Sequence, residues 1–289
     1  MKTISPQLII TALISVATMA LVPVLVSSVA ANEVTIGLVR VGIACLVLTP
    51  LLLWHKNFIG LTSKDWFFLL LIGMIFGLHW WTYFYAIKNS TPSLGALSLT
   101  TYGIHLVWIN WLVSAQRPKL SDMFAVLLCF CGCIIVVPSA DMANQVTQAF
   151  LVGVFSGLLY ALLPFLHQRV NHLSTTVRSW GQFSFAGVFF LFFWPQTDWQ
   201  LNINDWQLLI ILGVVSTLIA HTLWVKVSTE LPPILVSAFY YLYIPIAMTL
   251  SYFFLNEPMT TPKLLGATLI VISCLWGIIL PALRKAKKS

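Results

Sequence analysis

Ten apolar stretches follow one another along the 289-residue chain, near 6–30, 34–54, 66–88, 93–115, 121–138, 148–168, 178–195, 205–227, 232–255 and 262–282, with short polar breaks between them. A helix needs about 20 mostly apolar residues to cross a bilayer. A chain that spends most of its length in such stretches is expected to fold as an all-α integral membrane protein with ten transmembrane helices. The remaining composition agrees, since 8% of residues are charged where a soluble domain carries about a quarter. The loops are too short to hold a soluble catalytic or nucleic-acid-binding domain.

The formal net charge of +7 is therefore a topology signal. With both termini placed in the cytoplasm, twelve of the 15 Lys and Arg residues fall inside, among them Lys56, Lys64, Arg117, Arg169 and Lys226, while Arg40, Lys88 and Lys263 fall on or toward the outside. This asymmetry follows the positive-inside rule and sets the orientation. Residues 27–31, "SSVAA", would suit a leader-peptide cleavage site. The preceding apolar run is long for a leader, whose core is about 7–15 residues, so the first helix is expected to be retained. The five cysteines, Cys45, Cys129, Cys131, Cys133 and Cys274, all fall in expected helices and read as small apolar packers. The i, i+2 spacing of three of them spreads their sulfurs over different helix faces, which opposes tetrahedral chelation.

Sliding the sequence against itself by 140 positions aligns "DWFFLLLIGMIFGLHWWT" (65–82) with "DWQLLIILGVVSTLIAHT" (205–222) without a gap. Asp65 meets Asp205, Trp66 meets Trp206, Gly73 meets Gly213 and Thr82 meets Thr222, and the same shift carries Pro92 onto Pro232 and Pro118 onto Pro258. Shared hydrophobicity alone does not supply matching Asp, Trp, Gly and Pro. Two repeats, 1–140 and 141–289, would then hold five helices each. An odd number forces the second to enter the membrane inverted, the architecture of secondary transporters that bind substrate near the midplane.

Arg40 near the start of the second helix, "WTYFYAIKNSTPSLGALSL" (81–99) and "LNEPMTTPKLLGATLIVISCLWGIIL" (255–280), together with the five-plus-five plan, resemble the EamA-type branch of the drug/metabolite transporter superfamily over nearly the whole chain. The resemblance implies a bacterial inner-membrane carrier with a central cavity lined mainly by its third, fourth, eighth and ninth helices. Two positions depart from it in the first half: Gln116-Arg117-Pro118 stands where the second half has Asn256-Glu257-Pro258, and His105 where it has Pro245. Substrate-specific chemistry is accordingly expected in the first half.

The eight Asp and Glu residues all lie at expected helix ends or in loops, so the midplane lacks a carboxylate for a proton relay or for holding a polycation. Ser98, Thr101, His105 and Trp108 share one face of the fourth helix. Such a stripe turns away from lipid, toward a cavity or toward another helix as hydrogen-bonding glue. The shift places Tyr241 on the equivalent face of the ninth helix. On the third helix, His79 shares a face with Tyr83 and Phe76. His221 aligns with Trp81, two residues from His79, or about 200° around a helix. Strict symmetry thus lets only one of the two histidines reach the cavity, with His79 favoured. Arg40 is expected to snorkel to the outer interface or to neutralise an anionic group.

The expected substrate-binding set is His79, Tyr83, Ser98, Thr101, His105, Trp108, Tyr241 and His221, with no catalytic residue, no metal and no cofactor. The function expected is alternating-access transport of small neutral or zwitterionic metabolites, amino-acid-like and directed outward, not catalysis. A quaternary-ammonium carrier is the alternative, since aromatic faces hold a cation without a carboxylate. A non-transporting sensor or assembly protein is another, and a membrane metalloenzyme is opposed by the missing HExxH. The expected partners are a small-molecule substrate and the lipid bilayer, with a homodimer left open and no nucleic acid.

Overall fold

The computed structural model describes residues 5–56, 58–114, 120–137, 141–231, 236 and 239–286. They form α1 (Pro6–Met19), α2 (Val22–Ser28), α3 (Glu33–Trp54), α4 (Ser63–Asn89), α5 (Pro92–Thr100), α6 (Tyr102–Ser114), α7 (Leu120–Val136), α8 (Gln145–Arg169), α9 (Thr175–Leu191), α10 (Ile203–Gly213), a π-helical turn over Val214–Ile219, α11 (Ala220–Glu230), α12 (Tyr243–Leu255) and α13 (Thr261–Ala286), with no strand among the described residues. Pro118, Pro232, Ala238 and the Gln116-Arg117-Pro118 stretch lie outside the described residues.

Among the described residues, six spans are long and apolar enough to cross a membrane: Pro6–Ser28, Glu33–Trp54, Ser63–Asn89, Pro92–Val113, Gln145–Arg169 and Ile203–Glu230. Shorter apolar helices cover Met123–Val136, Phe239–Leu255 and Thr261–Ser273. The protein is therefore a multi-pass membrane protein. The span expected over 178–195 is instead a helix that begins at Thr175 and ends at Leu191, with Arg178, Ser179 and Gln182 buried. Its polar face is turned into the bundle.

Sequence explains where the helices start and break. Thr62 and Asp65 form a reciprocal capping box at the start of α4, and Asn202 and Asp205 form the same box at the start of α10. The Asp-Trp pairs of the 140-residue shift are thus helix-start signals, each offsetting orphan backbone donors. Each acid also reaches a neighbour: Asp65 Oδ1 lies 3.0 Å from His172 Nε2, just ahead of α9, and Asp205 Oδ1 accepts from the Ala30 N–H at 2.8 Å, just ahead of α3. The first span is interrupted between Met19 and Val22, where Pro23 sits in the opening turn of α2. The span over Pro92–Val113 breaks at Thr101, and the shorter apolar helix over Phe239–Leu255 breaks at Leu242. Spanning helices are interrupted where they line a cavity or pack on protein, because the freed backbone groups need partners.

Candidate functional site

The breaks surround a closed cavity of about 20 Å3 inside the bundle. It is lined by Arg40 of α3, His79, Trp80 and Tyr83 of α4, and Leu99 of α5, together with Tyr160 of α8, His221 of α11, Tyr240 and Tyr243, and Met19 and Val22 complete it. The space suits about one water molecule. A second void of similar size shares Tyr160 and His221 with it and continues past Trp224 toward His167, Gln182 and Ser228.

His79 is buried. Its Nδ1 lies 2.7 Å from Ser156 Oγ and 3.2 Å from the Ser156 carbonyl, while Ser156 Oγ donates to the His79 carbonyl at 2.8 Å. The single hydroxyl proton is therefore committed to that carbonyl, and the imidazole carries its proton on Nδ1, which leaves Nε2 as the acceptor nitrogen. Tyr83 stacks on the same ring at 5.9 Å between centroids, and Tyr160 covers it at 4.8 Å. The Tyr83 and Tyr243 hydroxyls hydrogen-bond to each other across the two halves of the chain.

Arg40 does not snorkel. Its side chain is fully buried, with the guanidinium carbon 3.9 Å from the Trp80 ring centroid. Its Nε–H donates to Thr217 Oγ1 at 2.8 Å and an Nη to the Ser216 carbonyl at 3.3 Å. Both partners lie in the π turn. An i→i+5 ring holds one residue more than an α-helical one, so carbonyls in it are freed to accept from outside and the residues beyond it are set back by about 100°.

That setback corrects the expectation that only one histidine reaches the cavity. Both His79 and His221 line it. His221 packs edge-on to Phe76 and Trp80 at centroid distances of 5.3 and 5.4 Å. The 200° separation of an unbroken helix is roughly halved by the π turn between Gly213 and Ala220.

The polar stripe of the fourth span, by contrast, faces away from the cavity. Ser98 Oγ donates to the Gly95 carbonyl at 2.8 Å, Thr101 Oγ1 to the Ser98 carbonyl at 2.7 Å, and His105 Nε2 to the Val154 carbonyl of α8 at 3.2 Å. A Cβ on Gly153 would come within 1.9 Å of Ser98 Oγ, and one on Gly157 within 2.9 Å of the Leu99 carbonyl. These glycines let α8 close onto the stripe, which thereby becomes interhelical packing. Trp108 packs on Trp111 at 5.7 Å. Tyr241 is buried 6.0 Å from Tyr102, and the break at Leu242 gives the wall to Tyr240 and Tyr243 instead. Of the expected set, His79, Tyr83 and His221 meet at the cavity, and Ser98, Thr101, His105, Trp108 and Tyr241 do not.

Sequence reading missed Ser156, Tyr160, His167 and Gln182. The signal was present, because Ser156, Tyr160 and His167 recur at four and seven residues along one face of α8. His167 Nε2 and Gln182 Oε1 are 2.9 Å apart at the far end of the second void. Larger clefts of about 770 and 730 Å3 are open and apolar, the first between α12 and α13 and the second among α4, α6 and α8. Beyond the spans, Glu257 accepts from the Ser93 N–H at 3.1 Å and hydroxyl at 2.8 Å and pairs with Lys263 at 2.7 Å. Burial pushes its pKa up, but Lys263 and the Thr91 and Ser93 hydroxyls more than reverse this and hold it below the usual 4.5.

Comparison with known proteins places this geometry. The sequence matches the EamA-like transporter family over residues 7–137 and again over 147–279. The chain belongs to that family. A curated relative, the "Uncharacterized transporter YetK" of Bacillus subtilis (strain 168), is 25% identical over 264 residues, covering 86% of this chain and 78% of that protein. A solved crystal structure shares the fold at a TM-score of 0.69 over 95% of this chain and 98% of that one, with 14% of residues identical. The protein is a membrane transporter of the drug/metabolite type, as the sequence resemblance implied.

Proposed function

We propose that this EamA-family protein is an alternating-access secondary carrier that moves a small neutral or zwitterionic organic metabolite across the bacterial inner membrane. Ten spanning helices work as two inverted five-helix halves, 1–140 and 141–289, with both termini in the cytoplasm and export as the physiological direction. The observation that carries this reading is the buried cavity, whose wall takes seven residues from the first half and four from the second and whose Tyr83–Tyr243 contact joins them. The reciprocal reach of Asp65 and Asp205 to the loops ahead of α9 and α3 supports an inverted pairing. A space for one water is far below the few hundred Å3 of a typical ligand site, so substrate enters when the halves rock apart.

A quaternary-ammonium carrier is disfavoured, because the aromatic face it would use at Trp80 already holds the Arg40 guanidinium. Leu99→Cys, placed on the wall in a background lacking the native cysteines, tests the carrier reading. Membrane-impermeant alkylating reagents should reach it from the outer face in right-side-out vesicles and from the cytoplasmic face in inverted ones. Access from one side only would count against alternating access.

A further inference from the structure

Arg40 is the one Lys or Arg among the cavity-lining residues, and no carboxylate forms an ion pair with it among the described residues. It spends two donors on Thr217 and Ser216, yet its Nη1 is fully buried without a hydrogen-bond partner. A guanidinium offers five donors in a planar fork that suits a carboxylate. Burying that charge with a donor unused is costly, and charges at membrane depth mark substrate or ion contact. The Trp80 ring at 3.9 Å offsets part of the cost through its π face, but a ring face does not satisfy an in-plane N–H. Tyr83 and Tyr243, both within electrostatic reach of Arg40, bring two hydroxyls that presently satisfy each other.

We infer that Arg40 binds the carboxylate of the transported solute, which makes the substrate class small organic monocarboxylates, zwitterionic amino acids included. This rests on the carrier reading, selects the carboxylate-bearing zwitterions among its solutes and extends the class to simple monocarboxylate anions. The guanidinium fork receives the carboxylate through Nη1, and the tyrosine hydroxyls supply further donors once their mutual contact opens. One cation balances one negative charge, so a phosphate monoester, which carries nearly two, is left partly uncompensated. The aromatic wall of Tyr160, Tyr240 and Trp80 receives the organic part.

Matched acids and primary amides test this on the purified full-length protein: phenylacetate with phenylacetamide, lactate with lactamide, and phenylalanine with phenylalaninamide, titrated by thermal shift and offered in proteoliposome exchange. At least one acid should bind at least about tenfold more tightly than its amide, as expected for a charge-assisted bond. Arg40→Gln should erase that preference and Arg40→Lys should keep part of it. Amides that bind as tightly as acids, no acid binding at millimolar concentration, or a preference that survives Arg40→Gln would overturn the assignment. Should Arg40→Gln fail to fold, the wild-type preference and its partial retention in Arg40→Lys decide. Acids that bind with the preference but never exchange across the bilayer refute the carrier reading and leave the Arg40 assignment standing. Exchange of uncharged solutes, indifferent to Arg40→Lys, does the reverse.

Discussion

The Tyr83–Tyr243 contact makes a quantitative claim about the closed state. Both rings are nearly inaccessible, and their hydroxyls meet between α4 and the start of α12. Tyr83→Phe removes one partner and leaves the other hydroxyl in a buried site with room for little more than one water, which costs about 1–2 kcal/mol, or a factor of about 5–30 in population. That cost falls on the closed state alone, since water satisfies the lone hydroxyl once the site opens. Replacing both tyrosines with Phe removes the need together with the bond, and such paired replacements are close to neutral. In the Leu99→Cys background, without added solute, the alkylation rate from the outer face should therefore rise by about 5–30-fold for Tyr83→Phe and for Tyr243→Phe. In the double variant it should fall back toward the parent. An unchanged rate in the single variants, or a double variant more reactive than either, would refute the tyrosine pair as the closing contact.

Other expectations follow from the same contacts. His79→Ala and His221→Ala should each weaken binding of a titrated solute more than His105→Ala, which should instead lower thermal stability by about 1 kcal/mol through its lost bond to the Val154 carbonyl; the reverse order would put the stripe back on the cavity. Gly153→Leu should destabilise strongly, because even a Cβ there meets Ser98 Oγ at 1.9 Å, whereas Gly42→Ala has nothing within 4 Å and should be neutral or stabilising in a melting assay. Glu257 has a lowered pKa, so its contribution is full above the ordinary carboxylate value and is lost only as pH falls through the lower folded one. Glu257→Gln should accordingly destabilise the protein at neutral pH and flatten the acid limb of its stability profile.

Much of the architecture was legible in the sequence because it rests on local signals. Apolar run length located the six spans long enough to cross a membrane, and the matched Asp-Trp pairs marked two helix starts that the structure caps identically. The site was legible only in part. Helical periodicity identifies which residues share a face but not what that face meets, and so Ser98, Thr101 and His105 read equally well as a cavity wall. Gly153 and Gly157, which bring α8 onto that face, were the available clue. The depth of Arg40 was hidden for a different reason. Its acceptors at Thr217 and Ser216 exist because six residues adopt a π turn, a register change that no apolar pattern announces. The same turn brought His221 to the wall, and the break at Leu242 exchanged Tyr241 for its neighbours.

Counterflow tests the central claim most directly. Proteoliposomes loaded with an unlabelled solute that the purified protein binds, diluted into a trace of the same solute in labelled form, should accumulate label transiently above equilibrium. The overshoot should grow with internal solute and vanish in protein-free liposomes, because a cavity reached alternately from two sides returns loaded faster than the label can leave. Label that merely equilibrates, at a rate indifferent to internal solute, would contradict an alternating carrier and indicate a pore. Binding without any protein-dependent entry would indicate a receptor.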